Sequence, residues 1–227
     1  MCTLLFRHRP DDNYPIAILA NRDERYRRPS GGWAWRGRDR RYFSPVDLEA
    51  GGTWIGLNEN GVGAACTNIS SWRRDHAFRS RGLLVTEVLG LAKAEQVPAQ
   101  MQQMISIQQY NNFNLLVADP VRAYLFTWLG RDLVQHEVTS SVCEVANRPF
   151  DGSTQPIDSM ANETWIAENE KRLLKHPEVC KHGFGFGTRS SHKLLVHGPE
   201  PSRSRVWNLD GHPCRGDYEL VLGHSEE

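Results

Sequence analysis

The sequence predicts an α+β layered fold. Three observations carry this: strand-like segments run in series on either side of one pair of helical segments, βαβ alternation is nearly absent, and the chain of 227 residues is long enough for a single large core. One domain spanning 1–227 is expected, since no linker, internal repeat or low-complexity tract interrupts it.

The elements follow in order. Residues 3–6 and 16–20 are short apolar runs joined by the turn formers Pro10-Asp11-Asp12-Asn13-Tyr14-Pro15, which is a hairpin pattern. Residues 21–53 read as one long loop, punctuated by Pro29, Gly31-Gly32, Pro45 and Gly51-Gly52, and loops of that length in compact domains are usually functional. Strands at 53–57 and 62–67 flank Asn58-Glu59-Asn60-Gly61, a strong turn signal. Leu83, Leu84, Val88 and Leu91 recur at helical spacing, and Pro98 followed by Met101, Met104 and Ile105 starts a second helix. Residues 113–117 and 123–128 form a hairpin across Ala118-Asp119-Pro120, and 132–145 continues in strand-like alternation. A helix at about 161–175 precedes strands and turns at 184–196, 205–209 and 218–222.

Composition narrows the function. The 27 basic and 27 acidic residues cancel, which argues against a globally basic nucleic-acid-binding protein. Mean hydropathy is −0.54 and no apolar run approaches ~20 residues, so no integral membrane association is expected. Arg7 interrupts the first apolar stretch before it could form a signal-peptide core, and a cytoplasmic location is expected. The charge is nevertheless segregated: residues 1–81 hold 14 Arg against 9 acids, and residues 82–227 hold 13 basic residues against 18 acids.

Cys2, Cys66, Cys143, Cys180 and Cys214 form no disulfide-framework pattern, so reduced thiols are the default. The most metal-like cluster is His176, Cys180 and His182 with His212 and Cys214 beyond. It lacks paired Cys-x₂₋₄-Cys or His-x₃-His spacing, so no metal site is expected. HExxH, GxSxG and GxxxxGK[ST] are absent and Gly61-Val62-Gly63 lacks a third glycine, so no cofactor is expected.

Cys2 becomes the first residue if Met1 is removed. It then carries a thiol and an α-amine with a pKa of about 7.7–8.0, a nucleophile and a base on one residue. The bland reading is a small apolar residue opening a strand. Antiparallel pairing of the first two strands would bring Asn21-Arg22-Asp23-Glu24 beside Cys2, where Arg22 could lower the thiol pKa and Asp23 or Glu24 could orient the amine.

Together with these residues, Gly51-Gly52-Thr53-Trp54-Ile55-Gly56-Leu57-Asn58, the segment from Gly61 to Asn68, Tyr110-Asn111-Asn112-Phe113-Asn114 and Gly187-Thr188-Arg189-Ser190-Ser191 resemble the NRDE family, also called the transport and Golgi organisation protein 2 family. The resemblance covers roughly residues 1–195. It implies a four-layer αββα sandwich of the N-terminal-nucleophile hydrolase type, related to penicillin V acylases and bile-salt hydrolases. It further implies amide chemistry, with Cys2 as nucleophile, Asn68 and Asn147 as oxyanion donors, Arg22 and Arg189 near the nucleophile, and Asp23 or Glu24 as the nearby acid. Acylases carry Arg-x-x-Asp where this chain has Asn21-Arg22-Asp23-Glu24, a departure that bears on which acid faces the thiol.

The arginines and aromatics of 21–53, among them Arg25, Arg28 and Trp33, together with Trp54, suit a small anionic or amphipathic ligand. Guanidinium groups fork onto carboxylate or phosphate while rings cover an apolar body. Arg73, Arg74, Arg79 and Arg81 follow Asn68, so a positive lining around Cys2 is expected. Nucleic acid is disfavoured, because no RNA-binding module accompanies the patch. The alternative function on the same fold is a non-enzymatic binding or trafficking protein for haem or an acyl-CoA or lipid-like ligand.

Overall fold

In a computed structural model, which describes residues 2–70, 75–170 and 180–223, the chain forms two seven-stranded antiparallel sheets faced by helices. β1 (Thr3–His8) and β2 (Ile16–Arg25) pair as the expected hairpin, with Thr3 opposite Asn21. The next strands make a meander in chain order, β3 (Ser30–Arg36), β4 (Tyr42–Asp47), β5 (Ile55–Asn58) and β6 (Gly63–Asn68). After α1 (Arg81–Leu89) and α2 (Val97–Ile107), the same sheet is completed by β7 (Phe113–Ala118), β8 (Ala123–Trp128) and β9 (Leu133–Glu137). The remaining elements are β10 (Ser141–Val145), β11 (Gln155–Pro156), α3 (Asn162–Asn169), β12 (Phe186–Val196), β13 (Arg205–Asp210) and β14 (Glu219–Leu222). They build the other sheet around the first hairpin in the order β11-β10-β1-β2-β12-β13-β14.

Period-two alternation assigns the layers, because successive residues of a strand face opposite sides. Leu4, Phe6, Ile16 and Ile18 point inward against Ile55, Leu57, Leu116 and Leu125 of the second sheet. The alternate residues Ala17 and Leu19 meet Trp165 and Ile166 of α3. On the far side, Leu115, Val117 and Phe126 pack under Leu84, Val88 and Met101 of α1 and α2. Each fully buried aliphatic side chain contributes roughly 1.5–3 kcal/mol, and strands buried on both faces explain the nearly unbroken apolar runs. The fold is a four-layer αββα sandwich.

Two expectations are corrected. Residues 21–53 are not one loop, because β2 runs on to Arg25 and β3 and β4 fill most of the remainder. β3 is the edge of its sheet and carries an irregularity between Gly31 and Ala34, so its pattern is too mixed to read as a buried strand. Residues 132–145 are not one continuous strand: β9 closes one sheet and β10 pairs with β1 in the other. The chain crosses at Ser140, at φ 54°, whose N–H donates to His8 Nδ1 at 3.2 Å, while His8 Nε2 lies 2.9 Å from the Asp119 carbonyl oxygen. The helix expected at 161–175 is seen as Asn162–Asn169, and 171–175 lie outside the described residues.

Candidate active site

The central position of the first hairpin fixes the site. Thr3 pairs with Asn21, so Cys2 emerges beside the end of β2, where Arg22 and Asp23 are buried. These three, with Arg28, Trp54 and Asn68, line one cavity of about 220 Å³. The opposite wall belongs to the other sheet and to the start of α1, whose Ser80 side chain accepts the first-turn N–H of Gly82. Gly52 has φ +72°, and a Cβ there would stand 2.3–2.4 Å from the Gly82 carbonyl and 2.5 Å from the Leu83 nitrogen. That close approach, with Thr53 N–H donating to Gly82 O at 3.0 Å, explains why Gly-Gly-Thr stands at this wall.

Cys2 is partly buried, and burial pushes its thiol pKa up. Asp23's charge adds to that rise, while a hydrogen bond with the Asp23 backbone and the Arg22 guanidinium pull the other way. Of the two candidate acids, Asp23 is the one that acts on Cys2; Glu24 Oε1 accepts the Arg25 N–H at 2.9 Å and its carboxylate reaches Arg28 at 3.9 Å. Burial raises the Asp23 carboxyl pKa, opposed by the Thr188 hydroxyl, which donates to Asp23 Oδ1 at 2.7 Å. The Arg22 guanidinium carbon sits 4.0 Å from the centroid of the Trp54 ring, a cation–π contact spanning the two sheets and worth roughly 0.5–2 kcal/mol. Its buried Nη1 has no hydrogen-bond partner among the described residues.

The structure separates the other expected site residues from this group. Asn147 does not line the cavity; its side-chain amide donates to the Asn68 backbone carbonyl, and its own carbonyl accepts the Ser70 N–H at 3.0 Å. Asn147 therefore holds the turn carrying Asn68. Arg189 also lies outside the cavity lining, at the register shift between Thr188 and Ser190. Trp33 does not line the cavity: partly buried, it packs on the core against Phe43 and His192, and its indole N–H donates to Asn208. Arg25 is likewise outside the cavity lining and pairs with Glu24 and Glu49. Arg28 lines the cavity, yet Asp47 at 2.7 Å and Glu49 at 2.9 Å occupy its guanidinium.

The expected positive lining is corrected as well. Among the described residues, Arg22, Arg28, Arg79 and Arg81 face the acids Asp23, Glu24, Asp47, Glu49 and Asp75 around the cavity. Arg79 is further engaged by Glu87 of α1. Arg73 and Arg74 lie outside the described residues. Within the arginine-rich first half, Arg28 is already neutralised by acids of the same half, Asp47 of β4 and Glu49 of the turn after it.

The roles of Asn111, Asn112 and Asn114 emerge only in the fold. Asn114 is a buried hub: its amide donates to Thr67, Ala146 O and Arg148 O, and its Oδ1 accepts from Thr127 and the Phe150 N–H. Asn111 accepts the Asp75 N–H and donates to the Asp75 carbonyl, and the Asn112 carbonyl accepts from Arg81. These bonds tie Asp75 and Arg81 to the start of β7 and the 146–150 turn to its Asn114. The signal was four polar side chains, Asn111, Asn112, Asn114 and Thr127, on or beside buried strands, where each needs partners.

The four-layer αββα sandwich is a fold of the N-terminal-nucleophile hydrolase type. The fold matches two solved members. The C2A mutant of conjugated bile acid hydrolase from Clostridium perfringens superposes with a TM-score of 0.57 over 99% of this chain and 97% of that one, at 9% identity. Penicillin V acylase from Agrobacterium tumefaciens gives 0.57 over 93% and 83%, at 10% identity. At such identity the likeness is one of fold.

The chain belongs to the Transport and Golgi organisation 2 family, whose profile matches residues 1–169. It is 34% identical over 126 residues to the human Transport and Golgi organization protein 2 homolog, and 34% identical over 131 residues to the one from Bos taurus. Each match covers 52% of this chain and 45% of the relative, so the chain spans about half the length of the curated relatives it matches. Among the described residues, no helix is long and apolar enough to cross a membrane.

Proposed function

We propose that the protein is a cysteine amidohydrolase or acyl-transfer enzyme in which Cys2, exposed by removal of Met1, is both nucleophile and base. The observation that carries this reading is the convergence of Cys2, Arg22 and Asp23 from one sheet and Asn68 from the other on one cavity. The hydrolase architecture of the two fold neighbours supports it.

In this mechanism the Cys2 α-amine takes the thiol proton and Sγ attacks the substrate carbonyl carbon. The amine, now protonated, gives that proton to the leaving nitrogen as the C–N bond breaks and a thioester forms. Water, deprotonated by the same amine, then releases the acid and restores the thiol. Burial disfavours the thiolate in the resting site, so proton transfer concerted with attack suits it better than a standing thiolate. Asn68 supplies the oxyanion donor and Asp23 orients the ammonium. The cavity fits a small amide-type substrate, anionic or amphipathic, whose negative group would meet the Arg22 guanidinium while its apolar part lies against Trp54. Recognition of an anion rests on that guanidinium and not on a general positive field.

An acylating probe such as a β-lactone tests the reading. One adduct per chain is expected, mapped to Cys2 and absent from Cys2→Ala. Labelling that persists in Cys2→Ala would contradict it.

A further inference from the structure

Cys180, His182 and Cys214 meet on the surface beyond the end of β2. Cys180 Sγ lies 3.3 Å from Cys214 Sγ and 3.5 Å from His182 Nε2, and His182 Nε2 lies 3.1 Å from Cys214 Sγ. We propose that these three side chains form a zinc site with a fourth, solvent-facing position. Zinc bound at about 2.3 Å from sulfur and about 2.0–2.1 Å from imidazole nitrogen has tetrahedral edges of about 3.5–3.8 Å. The observed triangle is tighter by only a few tenths of an ångström, so small rotations of three side chains admit the ion. All three ligand atoms lie within 4.8 Å of one another.

Two sulfurs alone would fit a disulfide equally well. The imidazole decides for a metal, because Nε2 faces both sulfurs and a disulfide has no use for it. The His182 ring is held in that pose by His212, stacked at 4.0 Å between centroids with an interplanar angle of 26°, and His212 is placed in turn by Tyr26, whose hydroxyl lies 3.4 Å from its Nε2. Two soft thiolates with one imidazole favour zinc over magnesium or calcium, which take oxygen ligands. Cys180 is buried while His182 and Cys214 are exposed, so the open position faces water. Binding converts two thiols into thiolate ligands and releases two protons for each ion taken up.

The site would act as a clip. It joins the turn between β13 and β14 to the hairpin entering β12, where the Lys181 backbone N–H donates to Thr188 Oγ1 at 2.9 Å and its carbonyl accepts the Thr188 N–H at 3.0 Å. Thr188 in turn donates to Asp23. Resting on the proposed function, the metal therefore positions the acid beside Cys2 without touching substrate. Metal-like spacing is absent from the sequence because the third ligand comes from a different strand connection, 34 residues after the first.

Reduced, chelator-treated full-length protein, titrated anaerobically with cobalt(II), tests the site. The expected result is saturation at one equivalent with the intense visible bands of a tetrahedral ion and sulfur-to-cobalt charge transfer, reversed by zinc. Cys214→Ser and His182→Ala should weaken binding more than about 100-fold, since losing even an outer partner of a metal ligand costs roughly 10–100-fold. Cys143→Ala and Cys2→Ala should bind as the unmodified protein does, which keeps this readout separate from the Cys2 chemistry. A weak octahedral spectrum, or no saturable binding by the reduced protein, would overturn the proposal. So would a Cys180–Cys214 disulfide in the isolated protein that, once reduced, takes up no metal.

Discussion

The Trp54 indole N–H donates to His192 Nε2 at 3.1 Å, and the same Trp54 ring carries the Arg22 guanidinium on its face. An indole nitrogen can only donate, so Nε2 must be an acceptor and His192 must be neutral. The electrostatics agree: burial and the nearby Arg22 charge lower the His192 pKa to about 3, with the Asn208 amide opposing them. One uncharged histidine thus supports the arginine nearest the nucleophile.

That depression fixes a pH dependence. An unfolded histidine titrates near pH 6.5, so between about 6.5 and 3 the unfolded chain binds a proton that the native chain refuses. The stability from neutral His192 is fully present above about pH 6.5 and is lost as pH falls, at a limiting slope of about 1.4 kcal/mol per pH unit. His192→Gln should unfold more easily at pH 7 yet lose stability less steeply toward pH 4, in urea titrations followed by tryptophan fluorescence. Parallel slopes in the two proteins would place the proton elsewhere.

Asn68 and Asn147 should behave differently. If Asn68 donates to the oxyanion, Asn68→Ala lowers turnover by roughly 10²–10³, which corresponds to about 2.7–4 kcal/mol. Asn147 acts through its hydrogen bond to the Asn68 backbone. Asn147→Gln, with a longer amide, should retain more activity than Asn147→Ala, whereas Asn68→Gln should recover little. Single-turnover acylation of Cys2 separates the two.

Asp23 should be kept at a cost in stability. Its folded-state pKa is raised, so the native state holds the proton more tightly than the unfolded chain does. The protonated form stabilises fully below the unfolded value of about 3.9, and that stability is lost as pH rises through the folded value. Asp23→Asn should therefore be more stable than the unmodified protein at pH 7, with the gain vanishing toward pH 3.5, while acylation of Cys2 falls. Thr188→Val removes a hydrogen bond to a charged partner and should destabilise by roughly 1.5–3 kcal/mol at pH 7.

Gly52→Ala tests the cavity wall. Its positive φ and the Gly82–Leu83 peptide at 2.3–2.5 Å leave no room for a methyl group, and the strain of such a position is of order 1–3 kcal/mol. The variant should melt earlier and should displace the start of α1, read as faster hydrogen exchange at the Gly82 amide. Gly32→Ala, with nothing within 4 Å of the added Cβ, is the matched control.

Much of this architecture was legible in the residues. The turn from Pro10 to Pro15 and the Asn58–Gly61 turn place two hairpins, and pairing in the first already puts Arg22 and Asp23 beside Cys2. The buried side chain of Asn58 explains its turn further: it accepts the Asn60 and Val62 N–H groups and donates to Leu89 O and Leu91 O, tying the hairpin to the end of α1. What was not legible depends on distant partners. Arg28 looks free until β4 brings Asp47 to it, and Trp33 looks like a surface aromatic until Phe43 and His192 pack against it. Arg189 follows Thr188 directly, yet an irregular register removes it from the cavity. Charge counted along the chain averages over neighbours in sequence, whereas the field at Cys2 is set by neighbours in space.

The central claim is that Cys2 supplies thiol and amine together, and the N-terminal peptide of the purified protein tests it most directly. Mass spectrometry should find Cys2 as the first residue, with the β-lactone adduct on its sulfur. A chain that retains Met1, its Cys2 amine locked in a peptide bond, would contradict the account even if the thiol still reacted.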